Sequence, residues 1–357
     1  MYDRGMSKAF ILGGTGQIGL AVAERLLKDG WQVTLGSRGR QQLPSHVTEI
    51  GAEFCRVDRT EFAELASAIG SGCDLLIDTV AFDAAHADQL LAVQHDVGQI
   101  IAISSASVYS DAHGRTLDEA RQNGFPDLPH RMTEEQSTVE PGPSTYSTRK
   151  VAMERALIEG AMRPAAVLRP CAIHGPFSAH PREWWFVKRL LDGREKIPLA
   201  YRGQSQFQTG ATENIGALVS TLADSRHGGI FNIGDPDAPT VLEIGKAIVA
   251  ACAIDADLVL VDTHTYPPRL GATPWSVPKP FTIDDAKARS VGYRPVGSYQ
   301  DTVARTCRWL LERKPEDWRA WASKFFLAQT LGCGSTVPMW RLSSRTMTAS
   351  ASFSFSR

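Results

Sequence analysis

Cysteine is sparse in this chain, and its six residues stand apart: Cys55, Cys73, Cys171, Cys252, Cys307 and Cys333, with no Cys-x-x-Cys pair. That spacing argues against a disulfide framework and against a zinc cluster, and it fits a reducing compartment. An excess of one charge is missing too. The 38 Lys and Arg residues against 39 Asp and Glu leave a formal net charge of -1, so no chain-wide attraction to nucleic acid or anionic membrane is expected. Long apolar runs are absent, since nothing approaches the roughly 18 residues of a membrane span. The apolar stretch Ala9–Leu12 turns at once into glycines and is too short for the core of a signal peptide. These absences point to a cytoplasmic protein with a small-molecule substrate, no nucleic-acid partner and no membrane association.

What is present is alternation. Apolar strand-like runs at Ala9–Leu12, Trp31–Leu35, Ala52–Val57, Leu75–Val80 and Gln99–Ser104 are separated by helical spacings at Ile18–Leu27, Phe62–Ile69 and Ala84–Val93. Such βαβ order predicts an α/β fold of Rossmann type, a doubly wound parallel sheet with helices on both faces. A polar stretch, Asp111–Pro143, reads as a long excursion, and Ala165–Leu168 as a sixth strand. The 357 residues, 43% of them hydrophobic, then suffice for a smaller second lobe. The predicted division is a nucleotide-binding domain over 6–170 and a substrate lobe over 171–330, parts of which interleave with the first domain. A Ser/Thr-rich tail over 331–357 has the composition of a disordered segment.

The turn after the first strand reads Gly13-Gly14-Thr15-Gly16-Gln17-Ile18-Gly19. Glycines here allow a tight turn, backbone approach to a pyrophosphate and close packing of helix on strand, while the helix N-terminus offers N–H donors. An NAD site places an acid at the end of the second strand; this chain has Ser37-Arg38-Gly39-Arg40 instead. A guanidinium pairs with a 2′-phosphate that a carboxylate would repel, so NADP is the expected cofactor and NAD the alternative. Asp58 is placed either to accept from an adenine amine or to cap the next helix. Val80 and Ala81, ending the fourth strand, would line the cofactor groove.

Tyr146 and Lys150 stand four apart on a segment with helical spacing, hence on one face. An ammonium beside a phenol favours the phenolate and would lower its pKa. The fifth strand ends Ile103-Ser104-Ser105-Ala106-Ser107-Val108-Tyr109, which puts hydroxyls at the mouth of the same cleft. Taken with Leu168-Arg169-Pro170, His174-Gly175-Pro176, Phe231-Asn232-Ile233-Gly234 and Gly292-Tyr293-Arg294-Pro295, these motifs resemble the extended short-chain dehydrogenase/reductases, the NAD(P)-dependent epimerase/dehydratase superfamily. The resemblance spans about residues 8–315 and sits closest to a reductase-like branch.

It implies a catalytic set of Ser105, Tyr146 as general acid/base, and Lys150 holding the nicotinamide ribose. Ser104 and Pro170, at the ends of their strands, join the implied cofactor-binding residues. The chemistry implied is reversible oxidation of a secondary alcohol to a ketone by hydride transfer. Ser107, His174, Trp185 and Arg202 are the candidate substrate contacts, although Trp185 in its aromatic run also fits a core position. No metal site is expected, because His174 and His180 lack a partner at ligand spacing. Many nucleotide-sugar enzymes of the superfamily carry an Arg for the substrate pyrophosphate where this chain has Ser205. A nucleotide-sugar epimerase or dehydratase is therefore the alternative reading. A second alternative is a non-catalytic NADP-bound regulator or RNA-binding protein, as in relatives that have lost catalytic residues. Superfamily members often pair through a four-helix interface, so the resemblance allows a homodimer, and the sequence itself does not identify the assembly.

Overall fold

Strands covered on both faces need apolar residues throughout rather than alternation, and the chain supplies such runs in order. The computed structural model of the protein describes residues 6–39, 45–49, 51–263 and 270–313; Arg40, Cys333 and the 331–357 tail lie outside the described residues. Its strands are β1 (Lys8–Leu12), β2 (Gln32–Ser37), β3 (Glu53–Arg56), β4 (Leu75–Asp78), β5 (Ile100–Ile103), β6 (Ala165–Pro170), β7 (Ala172–His174), β8 (Lys196–Leu199), β9 (Thr209–Ala211), β10 (Gly229–Ile233) and β11 (Asp257–Leu260). The helices are α1 (Gln17–Lys28), α2 (Ser45–Glu49), α3 (Phe62–Ile69), α4 (Ala84–Ala92), α5 (Ala120–Asn123), α6 (Tyr146–Gly160), α7 (Trp184–Leu191), α8 (Thr212–Ser225), α9 (Val241–Cys252), α10 (Ala286–Ser290) and α11 (Tyr299–Glu312).

Seven strands form one sheet in the order β3-β2-β1-β4-β5-β6-β10, with every pairing parallel. Strand order reverses between β1 and β4, and ligands of such sheets bind in the crevice that this reversal opens beyond the strand ends. One face is packed by α1 and α8 through Leu20, Leu26, Ile215 and Leu222; the other carries Leu65, Leu90, Met153 and Leu157 from α3, α4 and α6. Gly229–Ile233, inside the stretch that the sequence assigns to the substrate lobe, is the seventh strand of this sheet beside β6. Residues 212–233 thus stand with the nucleotide-binding layers.

The remaining lobe has two short parallel pairs, β7 with β9 and β8 with β11. Its core joins Trp184, Trp185 and Phe186 of α7 to Ile244 and Ile248 of α9 and to Tyr299 and Val303 of α11. Predicted boundaries shift by at most two residues, as helix and strand ends do. Val80 consequently falls in the turn after β4. Among the described residues no helix is long and apolar enough to cross a membrane.

Candidate active site

The glycine turn is built as the sequence requires. Gly13 has φ +73°, a conformation that L side chains rarely adopt, and its N–H donates to the Gly36 carbonyl at 2.9 Å. A Cβ on Gly19 would meet Gly13 O and Gly14 Cα at 2.6 Å, so α1 can lie against the turn only with glycine there. Gly16 caps α1 with no side-chain hydrogen bond, which leaves the first N–H groups and the positive end of the helix turned to the crevice. Thr15 is buried in the turn and Ile18 packs on the core beneath it. Gln17 Nε2 donates to the Gly175 carbonyl at 3.1 Å and ties the turn to the chain after β7. A dinucleotide pyrophosphate fits this cradle of close backbone and open donors.

Ser37 ends β2, and its Oγ accepts from the Gly39 N–H at 3.2 Å, while Arg38 beyond it is exposed. Asp58 holds a local turn, its Oδ1 accepting from Thr60 N at 3.1 Å and Thr60 Oγ1 at 2.9 Å, and it does not cap α3, whose N-cap is Glu61. Val80 is exposed beside Gly13 and Ala81 is buried. Under them lies a pair that sequence reading missed: Asp78, wholly buried at the end of β4, bonded to Arg59. Its other oxygen accepts from Val80 N at 2.8 Å, and Arg59 also reaches Gln89 Oε1 at 3.1 Å. An acid at a strand end that holds the next turn leaves no spacing signal.

Ser105, Tyr146 and Lys150, the set that the resemblance implies, lie near one another. A capping box, with Thr145 Oγ1 accepting from Thr148 N at 3.2 Å and Thr148 Oγ1 from Thr145 N at 2.9 Å, starts α6 so that Tyr146 is its first residue. Lys150, one turn on, is buried; its Nζ donates to the carbonyls of Ala81 at 2.6 Å and Ile103 at 2.9 Å and lies 5.6 Å from the Tyr146 ring centre. Burial lowers the Lys150 pKa to about 8, against the pull of Asp78 and Glu154. Burial raises the Tyr146 phenol to about 12, with a hydrogen bond from Ser105 acting the other way. The expected depression of the phenol by the ammonium is therefore not met. Desolvation raises the phenol, and the lysine is turned to backbone carbonyls.

Ser105 caps a short 3₁₀ turn, Ala106–Val108, and accepts from Ser107 N at 3.1 Å. Ser147 Oγ donates to the Ser107 carbonyl at 2.8 Å and lies 3.0 Å from Ser107 Oγ, which fastens α6 to the tip of β5. Ser104 faces the crevice, but its hydroxyl is bonded to buried Glu154 of α6. Glu154 also takes both Nε (3.1 Å) and Nη2 (2.5 Å) of Arg169 from β6. Arg169 lies over the Tyr109 ring at 4.9 Å, and the Tyr109 hydroxyl donates to Asn232 Oδ1 of β10 at 2.7 Å. This fully buried chain locks β5, β6, β10 and α6 together. The motif residues Arg169 and Asn232 were visible in the sequence; Glu154, the partner of Arg169, was not.

One crevice of about 540 Å³ gathers Gly16, Gln17, Ser104, Ser105, Ser107, Tyr146 and Pro170. Its far walls, Asp118, Phe177, Arg182, Phe207 and Phe281, went unnoticed in the sequence because they come from loops and from opposite ends of the second lobe. Three predicted substrate contacts stay outside. Trp185 is core, with the Arg189 guanidinium 3.5 Å from its ring centre. Arg202 is exposed, at φ +53°, and does not line the crevice. His174 is buried beneath it, its Nε2 paired with Asp235 Oδ2 at 2.9 Å and its ring against Tyr299.

That pair has a pH signature. Asp235 raises the His174 pKa above its ordinary 6.5 despite burial, and His174 lowers Asp235 below 3.8. The histidine's share of stability is complete below 6.5 and is lost as pH rises through its higher folded value. The aspartate's share is present above 3.8 and is lost as pH falls through its lower folded value. Urea midpoints should therefore peak between those limits, and Asp235→Asn should flatten the alkaline side of that peak. An unchanged pH profile in the variant would refute the pair's role.

A glycine turn at the reversal point of a parallel sheet, with a Tyr/Lys helix beside it, defines a Rossmann-type α/β protein with a dinucleotide site. A sequence model of the NAD dependent epimerase/dehydratase family matches residues 9–234, and the chain belongs to that family. It is 30% identical over 260 residues to the chloroplast stem-loop binding protein of 41 kDa b of Arabidopsis thaliana, an alignment covering 68% of this chain and 63% of that protein. The chain thus spans under two thirds of that relative's length. Among solved structures it is similar to the dTDP-glucose 4,6-dehydratase of Bacillus anthracis in complex with NAD, at 15% identity and TM-score 0.64, over 87% of this chain and 98% of that one. It is also similar to the UDP-glucose-4-epimerase of Stenotrophomonas maltophila with bound NAD and formylated UDP-arabinopyranose, at 16% identity and TM-score 0.66, over 90% and 100%. Likeness at such identities is likeness of fold.

Proposed function

We propose that the chain is an NADP-preferring oxidoreductase or epimerase that acts on a secondary alcohol or carbonyl group through Ser105, Tyr146 and Lys150. The observation that carries this reading is that Ser105, Ser107 and Tyr146 line the same crevice as Gly16 and Gln17 of the glycine turn. A bound nicotinamide cofactor supplies the hydride donor or acceptor. Ser105 orients the substrate oxygen, and Tyr146 Oη passes the proton to or from it. A phenol whose pKa is held up to about 12 is fully protonated at neutral pH and suits proton donation to a carbonyl, the reductive direction. Lys150 binds the ribose hydroxyls from the floor formed by Ala81 and Ile103.

The preference for NADP rests on Ser37 and on exposed Arg38 at the end of β2. Arg38→Ala should weaken NADPH binding about tenfold to a hundredfold, the worth of a charged hydrogen bond. NADH binding should stay within about twofold. Equal losses for both cofactors, measured by fluorescence titration, would remove Arg38 from the 2′-phosphate site.

The name of the Arabidopsis relative favours a second reading, a cofactor-bound protein that holds a structured RNA without turnover. Mixing NADPH-loaded protein with a panel of alcohols and carbonyls separates the two. Consumption of NADPH supports the oxidoreductase. Reversible interconversion without net consumption supports the epimerase. Binding with no turnover anywhere, joined to retention of a stem-loop RNA, supports the second reading.

A further inference from the structure

The crevice that holds Tyr146 and Ser105 has one permanently charged cation in its lining among the described residues, Arg182, two positions before α7. Its guanidinium makes a single long hydrogen bond, Nη1 to the Ile173 carbonyl at 3.4 Å, and among the described residues no ion pair reaches it. Glu183, next in sequence, is turned into the core, where Tyr299 reaches its Oε1 at 3.4 Å and its Oε2 has no partner. Burial pushes the Arg182 pKa below the usual guanidinium range, with Glu183 pulling the other way. A half-buried guanidinium with no counter-ion among the described residues gains when an anion completes it, and its planar fork matches the two oxygens of a carboxylate or phosphate.

The opposing walls are flat and apolar. Phe207 and Phe281 stack at 4.9 Å with their planes 16° apart, and Phe177 and Leu117 line the same space. Asp118 adds one acceptor, its Oδ2 already taking the Ser147 N–H at 2.7 Å. A nucleoside diphosphate would need more cations than this. The position where related enzymes carry an Arg is Ser205, which is buried and donates to the Val277 carbonyl at 2.7 Å.

We propose that Arg182 anchors an anionic group of the substrate, a carboxylate or a phosphate monoester, and that the substrate is a small acid with a flat apolar body. The inference rests on the reading of this crevice as the substrate site. Its sequence signal was slight, one Arg in Pro181-Arg182-Glu183-Trp184.

The test is calorimetric titration of the full chain loaded with NADPH. Its probes are 4-(hydroxymethyl)benzoate, phenyl phosphate, benzyl alcohol and UDP. At least one of the two small acids should bind tenfold or more tighter than benzyl alcohol, and the tighter of the two identifies the anionic group. Arg182→Gln should erase that preference while leaving benzyl alcohol and NADPH affinities unchanged, and Arg182→Lys should keep part of it. The proposal is overturned if acids and alcohol bind alike, if Arg182→Gln weakens all probes equally, or if UDP binds more tightly than both acids. Because the titration reads binding alone, a missing acid preference with carbonyl reduction intact sinks the anchor only. An Arg182-dependent preference without turnover sinks the oxidoreductase reading only, and the anchor stands.

Discussion

Tyr146→Phe should lower turnover by about a hundredfold to ten-thousandfold, the usual worth of a positioned general acid. Cofactor affinity should hardly change. The ring stays in place against Phe82, whose centre lies 5.6 Å away, so the variant removes one oxygen and keeps the packing. Lys150 keeps its two carbonyl partners, which do not depend on the phenol. Pre-steady-state reduction by NADPH, with cofactor affinity measured separately, gives both numbers. Loss of affinity and turnover together would make Tyr146 a structural residue. Retained turnover would move the proton transfer to another group.

The second large effect concerns stability. Glu154→Ala leaves Arg169 buried without its carboxylate, when its Nη1 already lacks a partner, and leaves the Ser104 hydroxyl without its acceptor. Breaking a buried pair in this way costs about 3–5 kcal/mol. Urea unfolding should show a loss of that size, and Glu154→Gln, which keeps an acceptor for Ser104, should lose less. A loss under about 1 kcal/mol in the Ala variant would mean that Arg169 finds other partners and that the network does not hold the β5 tip. Because Ser105 follows Ser104 directly, Glu154→Gln should also slow turnover more than it weakens NADPH binding.

The frame of the molecule was readable from residue order, and its reason is physical. Apolar central strands and a glycine turn are local features, fixed by burial on two faces and by backbone that tolerates no Cβ. Tyr146 and Lys150 were readable because helical geometry turns a spacing of four into a shared face. Partners across the fold were hidden. Glu154 lies 15 residues from Arg169 in sequence and reads as one more polar helix residue. His174 looked like a substrate contact from its place after a strand, yet Asp235, 61 positions away, holds it in the core. Arg202 was misplaced for a similar reason, since positive charge does not say which side of a lobe faces the crevice, whereas Trp185 takes the core place that its aromatic run also fitted. The phenol's pKa was misjudged because spacing predicts neighbours and says nothing of desolvation.

The most direct measurement is a crystal structure of the full chain grown with NADPH. The account predicts the pyrophosphate on the N–H groups of Gly16, Gln17 and Ile18, the 2′-phosphate beside Arg38, and the nicotinamide ribose within hydrogen-bonding reach of Tyr146 and Lys150. A nicotinamide ring turned away from Tyr146 and Ser105, or a cofactor bound anywhere but the glycine turn, would contradict it.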